Sequence, residues 1–152
     1  YKKLWQALKK EGWNSVEEPF LNRKNDPRKN TILLESITHE IAHIVSRDNR
    51  IYPMNQAQVA KLINTISNHK DRDHNEFIAS SVTWGVLTRL GICDNATLDE
   101  ILESLRMNIV DGELFKDKTG KIDSIFYNMI DSPEVNKYTD VVMNYYDGLI
   151  ND

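Results

Sequence analysis

Apolar residues along this chain recur at the three-to-four-residue spacing of a helix far more than at the alternating spacing of a strand. From about Arg28 to Arg47 the positions Leu33, Leu34, Ile37, Ile41, Ile44 and Val45 form one stripe, which Asp48-Asn49-Arg50 ends. Leu4, Trp5 and Leu8 mark a short amphipathic helix between Tyr1 and the stop at Gly12. Val59, Leu62, Ile63 and Ile66 mark another, capped by Asn55, before a polar loop from Asn68 to Asp73. Phe77, Ile78, Val82, Val86 and Leu87 predict a third strong helix from Asp73 to Leu90, with Gly91 as its C-terminal stop.

Three more helices follow. Thr97-x-x-Glu100 is a capping-box pattern opening one through Leu98, Ile101, Leu102 and Leu105. After a turn at Asp117-Lys118-Thr119-Gly120, a helix is expected near Ile122 to Ile130. Another runs from Ser132-Pro133-Glu134 to Leu149, with Ser as cap and Pro at the first helical position. The expected fold is mainly α, with α+β possible if Val16, Phe20 and Leu21 join a small sheet, in which Pro19 limits any strand to an edge.

With 152 residues the chain fits one domain. Its expected parts are an N-terminal helix and loop over 1–27, the central helices over 28–91 and an acidic helical part over 92–152. No apolar run approaches the roughly 18 residues of a membrane span. Charge is uneven: residues 1–29 hold eight Lys/Arg against four Asp/Glu, and residues 94–152 hold five against thirteen. The net −4 argues against nucleic acid as the main partner. The basic start, Lys2, Lys3, Lys9, Lys10, Arg23, Lys24, Arg28 and Lys29, reads best as a solvated face and loop. Cys93 is alone, so no internal disulfide forms, and beside Ile92 it is expected to pack as a small hydrophobe. Without a leader or an initial Met the chain reads as a fragment or processed product, cytoplasmic or delivered without disulfides.

Candidate chemistry enters at His39-Glu40-Ile41-Ala42-His43, which spells H-E-x-x-H within the longest helical stripe. Residues four apart on a helix share a face, so both imidazoles point the same way with Glu40 beside them. A hydrolytic zinc site needs three protein ligands and an open position for water. His39 and His43 supply two ligands; Glu40 is the expected base for the zinc-bound water, and the bond broken is expected to be a peptide bond.

On these residues the chain resembles the zincin metallopeptidases, over the motif helix and one later helix. The resemblance implies a single zincin-like domain, a zinc cofactor, a protein or peptide substrate and a third ligand further along. The metzincin continuation is absent, since Ser46 and Asn49 stand where its glycine and third histidine belong. Asn75-Glu76 resembles the third-ligand pair of the gluzincin branch, although Ser80 replaces the Asp that would orient a ligand histidine. Asp71-Arg72-Asp73-His74 with Phe77 is similar to the Spartan-type loop, which would make His74 the ligand, with protein attached to DNA as substrate. Glu76 is preferred, because the Phe77-to-Val82 run would hold a carboxylate rigidly.

Blander readings exist for each feature. Asp73-x-x-Glu76 also fits a helix capping box, and His69 and His74 could be plain exposed histidines. Trp84-Gly85 marks helix packing more than a pocket wall, and Tyr138, Tyr145 and Tyr146 are candidate oxyanion donors only if the fold brings one to the metal. Asp111-Gly112 and Asp117 to Asp123 lack the alternating oxygen ligands of a calcium loop. The competing function is a non-catalytic helical protein-binding or regulatory module with a vestigial or accidental motif.

Overall fold

The stripe from Leu33 to Val45 becomes the buried face of a 20-residue helix. The computed structural model describes residues 2–13, 27–48, 51–52, 56–68, 71–111, 114, 116 and 120–151. Its helices are α1 Lys2–Lys10, α2 Lys29–Asp48, α3 Gln56–Ser67, α4 Arg72–Arg89, α5 Asn95–Asn108, α6 Gly120–Met129 and α7 Pro133–Asn151. The mainly α expectation is met, and no strand occurs among the described residues. The suggested edge segment at Val16, Phe20 and Leu21 lies outside them, as do Asn55, Asn49, Gly112 and the 117–119 part of the expected turn. Among the described residues, no helix is long and apolar enough to cross a membrane.

Helix α4 is the centre. Every residue from Glu76 to Thr83 is buried, which requires neighbours on all sides. Its most extensive partner is α2, followed by α7 and α5, and buried residues of these helices join those of α1 and α6 in one core cluster. Two sets of hydrogen bonds fix the helix directions. Arg28, just before α2, donates to Thr97 Oγ1 at 2.9 Å and to Glu100, both in the first turns of α5. The Asp73 carboxylate, at the start of α4, accepts the backbone N–H groups of Val110 and Asp111 at 2.9 Å, just beyond the end of α5. Helices α2 and α5 therefore begin at one end and α4 at the other, so α2 and α4 run antiparallel.

Helix α7 closes the opposite side. Tyr146, wholly buried, shares a 2.6 Å hydrogen bond with Thr38 of α2. A Cβ on Gly85 would stand 3.0 Å from Thr139 Oγ1, so the missing side chain lets α4 and α7 approach. The Trp84-Gly85 pair is thus a packing feature, with Trp84 half-buried against the core. Trp13 Nε1 donates to the Tyr145 hydroxyl at 2.9 Å and ties the end of α1 to α7.

The helix ends follow their sequence signals, with two corrections. Gly12 and Gly91 take φ of 102° and 89°, the left-handed turn that ends a helix. Ser132 Oγ accepts from Val135 N at 3.3 Å ahead of Pro133. Helix α5, however, is capped by Asp94, whose carboxylate accepts Thr97 N at 3.2 Å and the Thr97 hydroxyl at 2.7 Å. Thr97 is therefore the third residue of the helix and not its cap, because a carboxylate before the helix outcompetes a hydroxyl within it. Cys93 is exposed and does not pack as a hydrophobe, since Ile92 beside it takes the buried position after the Gly91 turn. Lys3, Lys9 and Lys10 are exposed, as expected of a solvated face.

Candidate metal centre

Helical spacing puts Glu35, Ser36, His39, Glu40 and His43 along one side of α2, where they line a cleft of about 310 Å³. Arg72, Glu76, Ser80 and Thr83 of α4 form the facing wall, and Ile101, Ser104 and Asn108 of α5 complete it. Within it the two motif histidines meet Glu76. His43 Nε2 lies 3.1 Å from His39 Nε2, His39 Nε2 lies 3.2 Å from Glu76 Oε2, and His43 Nε2 lies 3.3 Å from Glu76 Oε1. Because α4 is packed on all sides, the Glu76 backbone has no freedom to drift from this position.

His39, His43 and Glu76 form a group that could hold a metal ion. Burial pushes the His43 imidazole below its usual range, favouring the neutral form whose lone pair a cation needs. Burial alone would raise the Glu76 carboxyl, but hydrogen bonding and charge interaction with the neighbouring His39 and His43 imidazoles hold it well below the ordinary range, so it is an anion here. The two facing Nε2 atoms have at most one proton to share between them when one ring is a neutral acceptor. A bound cation would satisfy both nitrogens and the carboxylate together.

Glu40 lies beside this group and does not join it. Burial raises its carboxyl to about 7, with the neighbouring His39 charge opposing, and its buried Oε2 has no hydrogen-bond partner. A carboxyl poised there can take and return a proton near neutrality. Glu35, one turn before His39, is also raised, to about 8, by burial and then by its hydrogen bond to Glu100, while Arg28 pulls the other way. Arg28 clamps Glu100 and Thr97, so this end of the cleft is closed by a carboxyl pair with its own counter-ion.

His74 is exposed in the first turn of α4 and is not part of the three-residue group. The two-residue offset between His74 and Glu76 turns their side chains about 200° apart around the helix, so both cannot face α2. Asp73 does not cap Glu76's turn; its carboxylate is spent on Val110 and Asp111. Tyr146 and Tyr145 are engaged with Thr38 and Trp13, and neither they nor Tyr138 line the cleft. His69 lies outside the described residues.

The sequence reading passed over Glu35 and Arg72. Each stands four residues before a ligand candidate, on the same helical face, and that spacing was signal enough. Ser104 and Asn108 carried no such signal, since only the packing of α5 across the cleft brings them there. In comparisons with known proteins, no family model, no curated protein and no solved structure matches this chain.

Proposed function

We propose that this protein is a zinc-dependent peptide-bond hydrolase, with His39, His43 and Glu76 holding zinc and Glu40 as the base. One observation carries the reading. Ligands about 2.0–2.1 Å from a tetrahedral zinc are separated from one another by roughly 3.3 Å; the two histidine nitrogens here are 3.1 Å apart, and Glu76 sets one carboxylate oxygen 3.2 Å from His39 Nε2 and the other 3.3 Å from His43 Nε2, with one donor atom from each residue falling within 4.8 Å of the others. Two imidazole nitrogens and one carboxylate form a donor set that zinc accepts while a fourth position stays open. When bound, zinc would polarise the substrate carbonyl and acidify water.

The chain's own residues account for the proton. Glu40, whose buried oxygen has no hydrogen-bond partner, takes a proton from the attacking water and returns it to the departing amine. Ser36 and Thr83, whose hydroxyls donate to the Ile32 and Ala79 carbonyls at 3.0 and 2.7 Å, can accept a peptide's N–H, and Ser80, Ser104 and Asn108 can also donate to its C=O.

Metal analysis of protein never exposed to chelator tests the reading: about one equivalent of zinc is expected, with cleavage of short peptides. Glu40→Gln is expected to keep the zinc and lose the cleavage. One observation favours a non-catalytic binding module instead, namely that no strand among the described residues offers an edge to an extended peptide. Absence of zinc would select that module.

A further inference from the structure

We propose that the cleft takes the free C-terminus of a short peptide, Arg72 binding the terminal carboxylate, so that hydrolysis releases the last residue. This rests on the zinc hydrolase reading and names its substrate class.

Arg72 stands apart from the other cations near the core. Arg28, Arg89 and Arg106 are each paired to a carboxylate, of Glu100, Asp140 and Asp123 respectively. Arg72 is half-buried in the cleft wall with no ion pair among the described residues. Its neighbour Asp73 cannot neutralise it cheaply, because that carboxylate already accepts two backbone N–H groups. A guanidinium held in a partly buried wall is a ready partner for a carboxylate, which it can grip with two parallel hydrogen bonds.

Register supplies the distance. Arg72 precedes Glu76 by one helical turn, so their Cβ atoms are about 5–6 Å apart on the same face. In a peptide, the terminal carboxylate carbon lies roughly 3–3.7 Å from the preceding carbonyl carbon, three bonds of about 1.3–1.5 Å away. Arg72 and the group formed by His39, His43 and Glu76 line the same cleft, so a carboxylate held by Arg72 keeps the last peptide bond within that cleft. Asn108 and Ser104 of α5 line the cleft with Arg72 and can bond the peptide's amide groups.

Size and topology agree. The cleft of about 310 Å³ sits at the small end of the roughly 300–1,000 Å³ of ligand pockets. With no strand edge among the described residues, recognition of a chain end by its charge replaces recognition of an extended main chain. The step balances. Water adds to the carbonyl carbon and gives a proton to Glu40, the C–N bond breaks with its electron pair on nitrogen, and nitrogen receives that proton. The products are a shortened peptide acid and a free amino acid.

The test uses the zinc-loaded full chain on N-acetyl-trialanine, its C-terminal amide, and an amidated peptide with an internal Glu, with products identified by mass spectrometry. The free acid is expected to release alanine with kcat/KM about 10–100-fold above the trialanine amide, as loss of a charged hydrogen-bond partner implies. Calorimetric titration of the Glu40→Gln protein with the acid and the amide is expected to give a similar ratio of Kd values. Arg72→Gln, checked for retained zinc, should bring both ratios close to one, and Arg72→Lys should keep part of the preference. Equal rates on acid and amide, preference for the internal Glu peptide, or ratios unchanged in Arg72→Gln overturn the proposal and leave the hydrolase reading standing. No cleavage of any peptide by zinc-replete protein overturns the hydrolase reading, and this proposal with it.

Discussion

His43 Nε2 and Glu76 Oε1 lie 3.3 Å apart although 33 residues separate them, because α4 crosses α2 at the level of the motif. Glu76→Ala is therefore expected to weaken zinc binding by more than the 10–100-fold typical of a lost outer partner, whereas His74→Ala leaves it unchanged. Competition with a chromogenic chelator reads both. Equal zinc affinity in wild type and Glu76→Ala would remove Glu76 from the site.

On the proposed mechanism, hydrolysis should rise with pH along a limb governed by Glu40. Burial puts its carboxyl at about 7 in the metal-free protein, and a cation bound beside it favours the carboxylate, so loading moves the limb below 7. The base is active when deprotonated, so kcat/KM falls as pH drops through that limb. Glu40→Gln is expected to lose about 10²–10⁴-fold in rate above the limb and a smaller factor below it, and an unchanged acid limb in any residual activity would assign the limb to another group.

Stability should carry the mark of Glu35. Its carboxyl is raised from 4.5 to about 8 on folding, so between those values the native state binds the extra proton. The contribution is full below about 4.5 and is lost as pH rises through about 8. Metal-free protein is thus expected to unfold more easily at pH 8.5 than at pH 5 on this account, and Glu35→Gln to flatten that slope. Urea unfolding at both pH values measures it.

The buried bond between Thr38 and Tyr146 should be worth having. Tyr146→Phe leaves the Thr38 hydroxyl without this 2.6 Å partner in a wholly buried position. A loss of about 1–3 kcal/mol is expected, seen as a lower Tm with zinc content unchanged. No shift in Tm would mean that Thr38 finds another hydrogen-bond partner.

Two glycines separate packing from propensity. At Gly148 a Cβ meets nothing within 4 Å, so Gly148→Ala should stabilise α7 by about 0.5–1 kcal/mol. At Gly85 the same methyl meets Thr139 Oγ1 at 3.0 Å, and Thr139 is tied to the Val135 carbonyl at 2.7 Å. Gly85→Val should therefore cost about 1–3 kcal/mol from overpacking. Thermal unfolding of the two variants is expected to move in opposite directions.

The sequence by itself determined the helices and half of the site. Apolar spacing is a local property, so α2, α4, α5 and α7 were legible to within a few residues of Lys29–Asp48, Arg72–Arg89, Asn95–Asn108 and Pro133–Asn151. The four-residue step from His39 to His43 is fixed by helix geometry, and so was legible too. Competition between adjacent polar groups was harder to read, as Asp94 displacing Thr97 as the cap and Ile92 displacing Cys93 from the interior both illustrate. Only the tertiary structure decided that Glu76 faces the histidines while His74 faces water, since both readings fit the same residues until the orientation of α4 against α2 is known. It alone also carried Ser104 and Asn108 into the cleft and took Tyr145 and Tyr146 away from it. Helix periodicity says which residues share a face; which face meets which is settled by packing between segments far apart in the chain, and no local spacing encodes it.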